Sequence, residues 1–237
     1  MKMSRAKRIK MSPLTLEDLP NEVLWKICDK LNTIDLIICG QISKRIRVIS
    51  NDVSLRRKKI SLENMKLNFK IINTVVLHNG KLLTVLNLRA CQNLNMGSIY
   101  DIVNQCVELA EFNLESTNLC PDSLNFLATN LTPKVKKLSL KNVKNLKDKH
   151  VISLSKRCNR MISLDLSHTL ITDISLSSVI CNLKSSLEEI DIEETKISVD
   201  KLLVLRSIPT LIVLNHSFED LEGQFSGFIR KNIEIAT

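Results

Sequence analysis

The chain has 237 residues, 44% of them apolar and 25% charged, which suits one large folded domain or two modest ones and excludes a disordered polymer. Aromatic residues are only 3%, so any core must be built from Leu, Ile and Val. The formal charge of +9 overstates how basic the body is: Lys2, Arg5, Lys7, Arg8 and Lys10 all fall in the first ten positions, with no acid among them.

Residues 1–13 therefore read as a basic disordered tail. A nuclear import signal, a nucleic-acid-binding arm and a plain leader are all open for it. Nucleic acid is not the expected partner of the body, which lacks interleaved aromatics for stacking bases and any recognisable reading motif. The opening residues lack the apolar run of a signal peptide, and no segment approaches the roughly 18 apolar residues of a membrane span. The expectation is a cytoplasmic and/or nuclear protein with no membrane partner, its seven cysteines reduced.

Residues 14–56 read as a short helical module. Pro20 suits the first turn of a helix, where a missing N–H costs nothing. Val23, Leu24, Ile27, Cys28 and Leu31 then form one wide apolar stripe. Asn32-Thr33 marks a stop and a new cap, and residues 36–39 with Ile42, Ile46 and Ile49 supply further helical stripes. About 40 residues with this much apolar surface make a weak stand-alone fold, so part of that surface is expected to await a partner.

The run Leu19-Pro20-x-Glu22-Val23-Leu24-x-x-Ile27, followed by Leu31, Asp35-Leu36 and Ser43-Lys44-Arg45, resembles an F-box. The resemblance implies three short helices that dock on the Skp-type adaptor of a cullin–RING ubiquitin ligase, with Leu19, Pro20, Leu24, Ile27 and Leu36 as the main adaptor contacts. Two positions depart from the family pattern. Ile46 stands where Trp is usual, and Leu55-Arg56 where a Leu-Trp pair is usual.

From residue 57 to 237 a repeat governs the text. The pattern L-x-x-L-x-L, allowing other aliphatics and Phe, matches Leu83/Leu86/Leu88, Leu109/Phe112/Leu114, Val135/Leu138/Leu140, Met161/Leu164/Leu166 and Leu187/Ile190/Ile192, each 26 residues after the last. Ile60/Leu62 precede the series, and Leu211/Leu214 extend it after a step of 24. The alternation predicts a strand, and residues such as Ile174, Leu176, Val179, Ile180 and Leu183 predict a returning helix. Neither can bury its apolar face alone, so the units must stack into an α/β solenoid, with parallel strands on a concave face and helices on the convex one. About six units are expected, closed by a cap containing His216, Phe218, Leu221, Phe225 and Phe228.

This pattern resembles the cysteine-containing leucine-rich repeats. That subtype expects Cys or a small residue at Cys91, Thr117, Val143, Thr169 and Thr195, and a further Cys before the next repeat, which is present at Cys106 and Cys158 but replaced by Thr132 and Lys184. An F-box placed before such repeats is common among substrate receptors of Skp–cullin–F-box ubiquitin ligases. The combined resemblance implies that role, with an unknown protein substrate as the second partner. The alternative is a non-ligase interaction scaffold with a degenerate F-box.

The residues between core positions should line the concave face, and Arg89, Glu111, Glu115, Lys137, Lys141, Asp165, Glu189, Asp191 and Glu193 are the candidate substrate-binding set. Asp165 with the Glu189/Asp191/Glu193 cluster would attract a basic segment, and Lys137 with Lys141 an acidic or phosphorylated group beside it. The competing reading is solvated charge that keeps a sheet soluble, since exposed ion pairs contribute only about 0–1 kcal/mol. Catalytic residues, a metal and a cofactor are not expected. Five glycines leave no phosphate-cradling loop, neither G-x-G-x-x-G nor G-x-S-x-G occurs, and His78, His150, His168 and His216 are expected on turns or at the cap, away from any cysteine.

Overall fold

In the N-terminal unit, a 3-10 turn at Leu16–Asp18 is closed by Thr15, whose backbone N–H and hydroxyl both donate to Asp18 at 2.8 Å. Pro20 then caps helix α1 (Asn21–Lys30). Helix α2 (Thr33–Cys39) starts from Asn32, whose side-chain oxygen accepts from Asp35 N–H at 2.8 Å. Asn32 is thus the cap itself, and Thr33 already belongs to the helix. Ser43 Oγ accepts from Ile46 N–H at the start of helix α3 (Lys44–Leu55). These three helices enclose Leu24, Cys28, Leu36, Ile49 and Val53, with Leu19, Trp25 and Leu31 packed partly against them.

The computed structural model describes residues 15–66 and 79–215. The basic tail, His78 and the expected cap with its phenylalanines and His216 lie outside the described residues. The chain divides into two compact units, Met1–Ser54 and Leu55–Thr237.

The second unit contains a parallel sheet of seven strands in sequence order. They are β1 (Lys59–Ser61), β2 (Val85–Asn87), β3 (Glu111–Asn113), β4 (Lys137–Ser139), β5 (Ser163–Asp165), β6 (Glu189–Asp191) and β7 (Val213–Asn215). Registers run Ile60↔Leu86↔Phe112↔Leu138↔Leu164↔Ile190↔Leu214, so the 26-residue step and the final 24-residue step both become strand pairings. Between strands run helices α4 (Met96–Gln105), α5 (Pro121–Asn130), α6 (Asp148–Arg157), α7 (Asp173–Leu183) and the short α8 (Val199–Leu202). Their inward faces and the central strand residues form one continuous aliphatic core from Ile60 to Leu211. The architecture is an α/β solenoid of leucine-rich-repeat type preceded by a helical module.

Two local devices turn the chain at every repeat. After each of the first six strands one residue takes a left-handed conformation: Asn64, Ala90, Ser116, Asn142, His168 and Glu194, with φ of 52° to 61°. They are 26 apart, and none is glycine, although this region costs an ordinary side chain about 1–2 kcal/mol. The first five donate their N–H to the next repeat, as Ala90 does to the Glu115 carbonyl at 2.7 Å and His168 to that of Glu193 at 2.8 Å. Next in sequence, the hydroxyls of Thr117, Thr169 and Thr195 donate to the carbonyls three residues back, and Cys91 donates to the Leu62 carbonyl of the previous repeat. The small-residue column therefore satisfies buried carbonyls at the turn.

Candidate protein-binding surfaces

On helix α1 the expected single stripe is divided. Leu24 and Cys28 point into the core, whereas Val23 and Ile27 remain 40% and 38% exposed. Successive residues are turned about 100° from each other, so the 24/28 row and the 23/27 row cannot both meet the two partner helices of so small a unit. Pro20, Val23 and Ile27 follow one another at i, i+3 and i+7 along the outer side, and Leu16 is exposed just before them. The expected contact set is thereby divided between core and surface. Leu24 and Leu36 are buried in the unit's own core and offer no surface, while Pro20 and Ile27 are exposed and Leu19 is half-buried. Val23 takes a surface place that spacing alone did not assign.

Arg45 fixes the geometry of this surface. Its guanidinium donates to the carbonyls of Glu17 at 2.5 Å and Leu19 at 2.7 Å, and to Asn21 Oδ1 at 2.8 and 3.0 Å. A charged fork holding backbone oxygens across 26 to 28 residues of sequence locks the Leu19-Pro20 entry onto α3. Ile46 is 2% exposed, so the position where the family usually carries Trp is an interior one here.

On the sheet, the outward residues form three columns. The middle one runs Ser61, Asn87, Asn113, Ser139, Asp165 and Asp191. Its Asn and Asp members brace the turn that follows each strand. Oδ1 of Asn87, Asn113, Asp165 and Asp191 accepts the N–H two residues on, at 2.8 to 3.1 Å. One oxygen each of Asp165 and Asp191 is therefore committed to the turn, and Asp165 also accepts from Ser139 and Ser167 hydroxyls. Ser167 is fully buried because it folds back onto that carboxylate.

The flanking columns carry the charge. Arg89 stands between Glu63, at 3.6 Å, and Glu115, at 3.2 Å. Glu111 is the strand neighbour of Lys137, and Ser163 separates Lys137 from Glu189. His168 Nε2 lies 4.0 Å from Glu193. The strands from β2 to β5 cradle an open hollow of about 380 Å³, floored by short side chains such as Ser139, Ser163 and Asn113 and edged by Val85, Glu111, Lys137 and Asp165. Of the expected binding residues, the hollow gathers Glu111, Lys137 and Asp165, and leaves Glu189, Asp191 and Glu193 beyond its end.

Nucleophilic groups lie elsewhere. Burial pushes the thiols of Cys91 and Cys158 up to about 11 and that of Cys106 up to about 12, so they remain protonated. His150, expected on a turn, is instead a buried residue in the first turn of α6. Its Nδ1 accepts from Lys147 N–H at 3.0 Å and its Nε2 meets Asn125 Oδ1 at 3.1 Å. Burial, then Lys149 and Lys147, hold its pKa below the ordinary imidazole value. Among the described residues no three His, Cys, Asp or Glu side chains gather as a metal site would require.

Comparison with known proteins follows this division. The F-box-like family model matches residues 16–60. One chain of the yeast Rad7–Elc1 complex is similar in structure, with a TM-score of 0.57 and 18% identity over 71% of this chain. That alignment spans 44% of the Rad7–Elc1 chain, less than half its length. Two Listeria monocytogenes internalins also align: internalin C2 at TM-score 0.47 and 17% identity, covering 92% of this chain and 96% of that one, and internalin F at 0.44 and 15%, covering 94% and 73%. No curated protein matches the sequence. The chain thus combines an F-box-like segment with a repeat solenoid.

Proposed function

We propose that the chain is a non-catalytic substrate receptor of a Skp–cullin–F-box ubiquitin ligase. The F-box-like unit docks a Skp-type adaptor, and the outward face of the repeat sheet holds the target. The observation that carries this reading is the exposed row of Pro20, which caps α1, with Val23 and Ile27 on that helix, inside the segment that matches the F-box-like family. An apolar row left out of its own core gains by being covered, at about 25 cal/mol per Å² removed from water. The interior position of Ile46 supports the same reading against the degenerate-scaffold alternative, because that replacement alters internal packing and removes nothing from the surface. The chain's part in ubiquitin transfer is then proximity, holding a target near the enzymes that carry out the chemistry.

The test is co-purification of the full chain with a purified Skp-type adaptor. The wild-type chain should retain it, and the Val23→Asp/Ile27→Asp variant should lose it while its melting curve stays unchanged. Failure of the wild-type chain to retain the adaptor, or retention by the variant, rejects the reading.

A further inference from the structure

Charge on the sheet face is compensated at one end and not at the other. In the first three repeats Arg89 answers Glu63 and Glu115 in place. In the fourth, Lys137 on β4 and Lys141 in the turn after it flank Ser139 and form no ion pair among the described residues. Two strands further, Glu189 and Glu193 occupy the same two columns, and among the described residues neither has a Lys or Arg nitrogen within 4.0 Å, the His168 imidazole lying 4.0 Å from Glu193. In these two columns the strand between the rows places Ser163 and Ser167, short and neutral, and the one acid it carries, Asp165 in the middle column, accepts from the hydroxyls of Ser139 and Ser167.

We infer that repeats four to six hold an extended peptide with an acidic side chain over Lys137 and Lys141 and a basic side chain over Glu189 and Glu193, three residues away. This rests on the reading that the sheet face receives the target, and it states the chemistry of that target. The spacing follows from geometry. Neighbouring strands are about 4.8 Å apart, so the two charged rows are roughly 10 Å apart. A peptide in the polyproline II form of extended chain rises about 3.1 Å per residue with about three residues per turn, so its side chains at i and i+3 share one face about 9 Å apart. A wholly basic segment meets the lysine row, and a wholly acidic one meets the glutamate row, so each is repelled at one end. The order of charges is thereby specified, and not merely the sign of the ligand.

The experiment titrates the full chain, at low salt, with labelled neutral host peptides carrying Glu and Arg at i and i+3 in both sequence orders. One order should bind. Moving Arg to i+1, or substituting Lys137→Glu/Lys141→Glu in the protein, should weaken it by about tenfold or more. That variant should regain binding when the peptide's Glu is replaced by Arg. A phosphoserine arm identifies the anion: tighter binding than Glu assigns a phosphate, weaker binding a carboxylate, and both accord with the inference. Absence of binding by either order, or binding that follows net positive charge whatever the spacing, overturns it. Adaptor retention is measured separately on the same protein. If it persists while the peptides fail, the peptide chemistry is wrong and the receptor reading stands.

Discussion

In the N-terminal unit, Leu24, Cys28, Leu36, Ile49 and Val53 form the core, while Leu16, Val23, Ile27, Ile38, Ile42 and Val48 are left exposed within about 40 residues. In the repeats, one aliphatic core runs from Ile60 to Leu211, and the exposed large apolar side chains are spread thinly over a far longer stretch. The difference is one of closure. A repeat gains a neighbour on each side, so adding units completes the burial of those already present. Three short helices have no such recourse, and their remaining apolar rows stay exposed. A closed core and a concentration of exposed apolar side chains thus fall in different parts of the sequence.

This contrast can be broken most sharply at Leu140. It is fully buried beneath the sheet, and Leu140→Asp should cost more than about 4 kcal/mol and unfold the repeats as a unit. Its neighbour Lys141 points outward, and Lys141→Asp should leave the melting curve within about 0.5 kcal/mol of the original. Comparable losses from the two would disprove the inward–outward alternation. In the helical unit the corresponding pair is Leu24 and Ile27. Leu24→Ala should cost about 2–5 kcal/mol through the cavity it leaves. Ile27→Ser should change denaturant stability little and act instead on adaptor retention.

A smaller effect is expected from pH. The folded pKa of His150 lies below its unfolded value, so the unfolded chain binds the proton more readily. Its contribution is complete above about pH 6.5 and is lost as the pH falls from there toward the folded pKa. Urea midpoints measured from about pH 7.5 to 5 should fall less steeply in His150→Asn than in the wild type. The smallest effect is at the turns. Ala90 has a φ of 52°, and Ala90→Gly should raise stability by up to about 1 kcal/mol in spite of the looser unfolded chain, the reverse of glycine's effect inside a helix. A loss of stability would show that the turn is held by something other than backbone preference.

The repeat architecture was legible because its signal is aliphatic and periodic. A step of 26 residues in Leu86, Phe112, Leu138 and Leu164 is also a strand register, so periodicity and pairing carry the same information. The left-handed column was not legible. Asn, Ala, Ser, Asn, His and Glu share no side-chain property, and the conformation is imposed by the strands on either side. The split of α1 into an inner and an outer row was also hidden, since Val23 and Leu24 are equally apolar and only the position of α2 and α3 distinguishes them. On the sheet face, the outward charges were readable from alternation. The folding of Ser167 onto Asp165, and the enclosure of Arg89 by two glutamates, depend on lateral neighbours that a single strand does not announce.

The backbone joint between turns is the same at every level. Thr84 donates to Lys58, Ala110 to Thr84, Lys136 to Ala110, Ile162 to Lys136, Glu188 to Ile162 and Ile212 to Glu188, at 2.7 to 2.8 Å throughout. A seam that never varies can be cut at one storey and closed at the next. Excision of one whole 26-residue storey leaves donor facing acceptor across the cut, so the scaffold can shorten or lengthen by whole storeys while the order of charges along its face is rewritten.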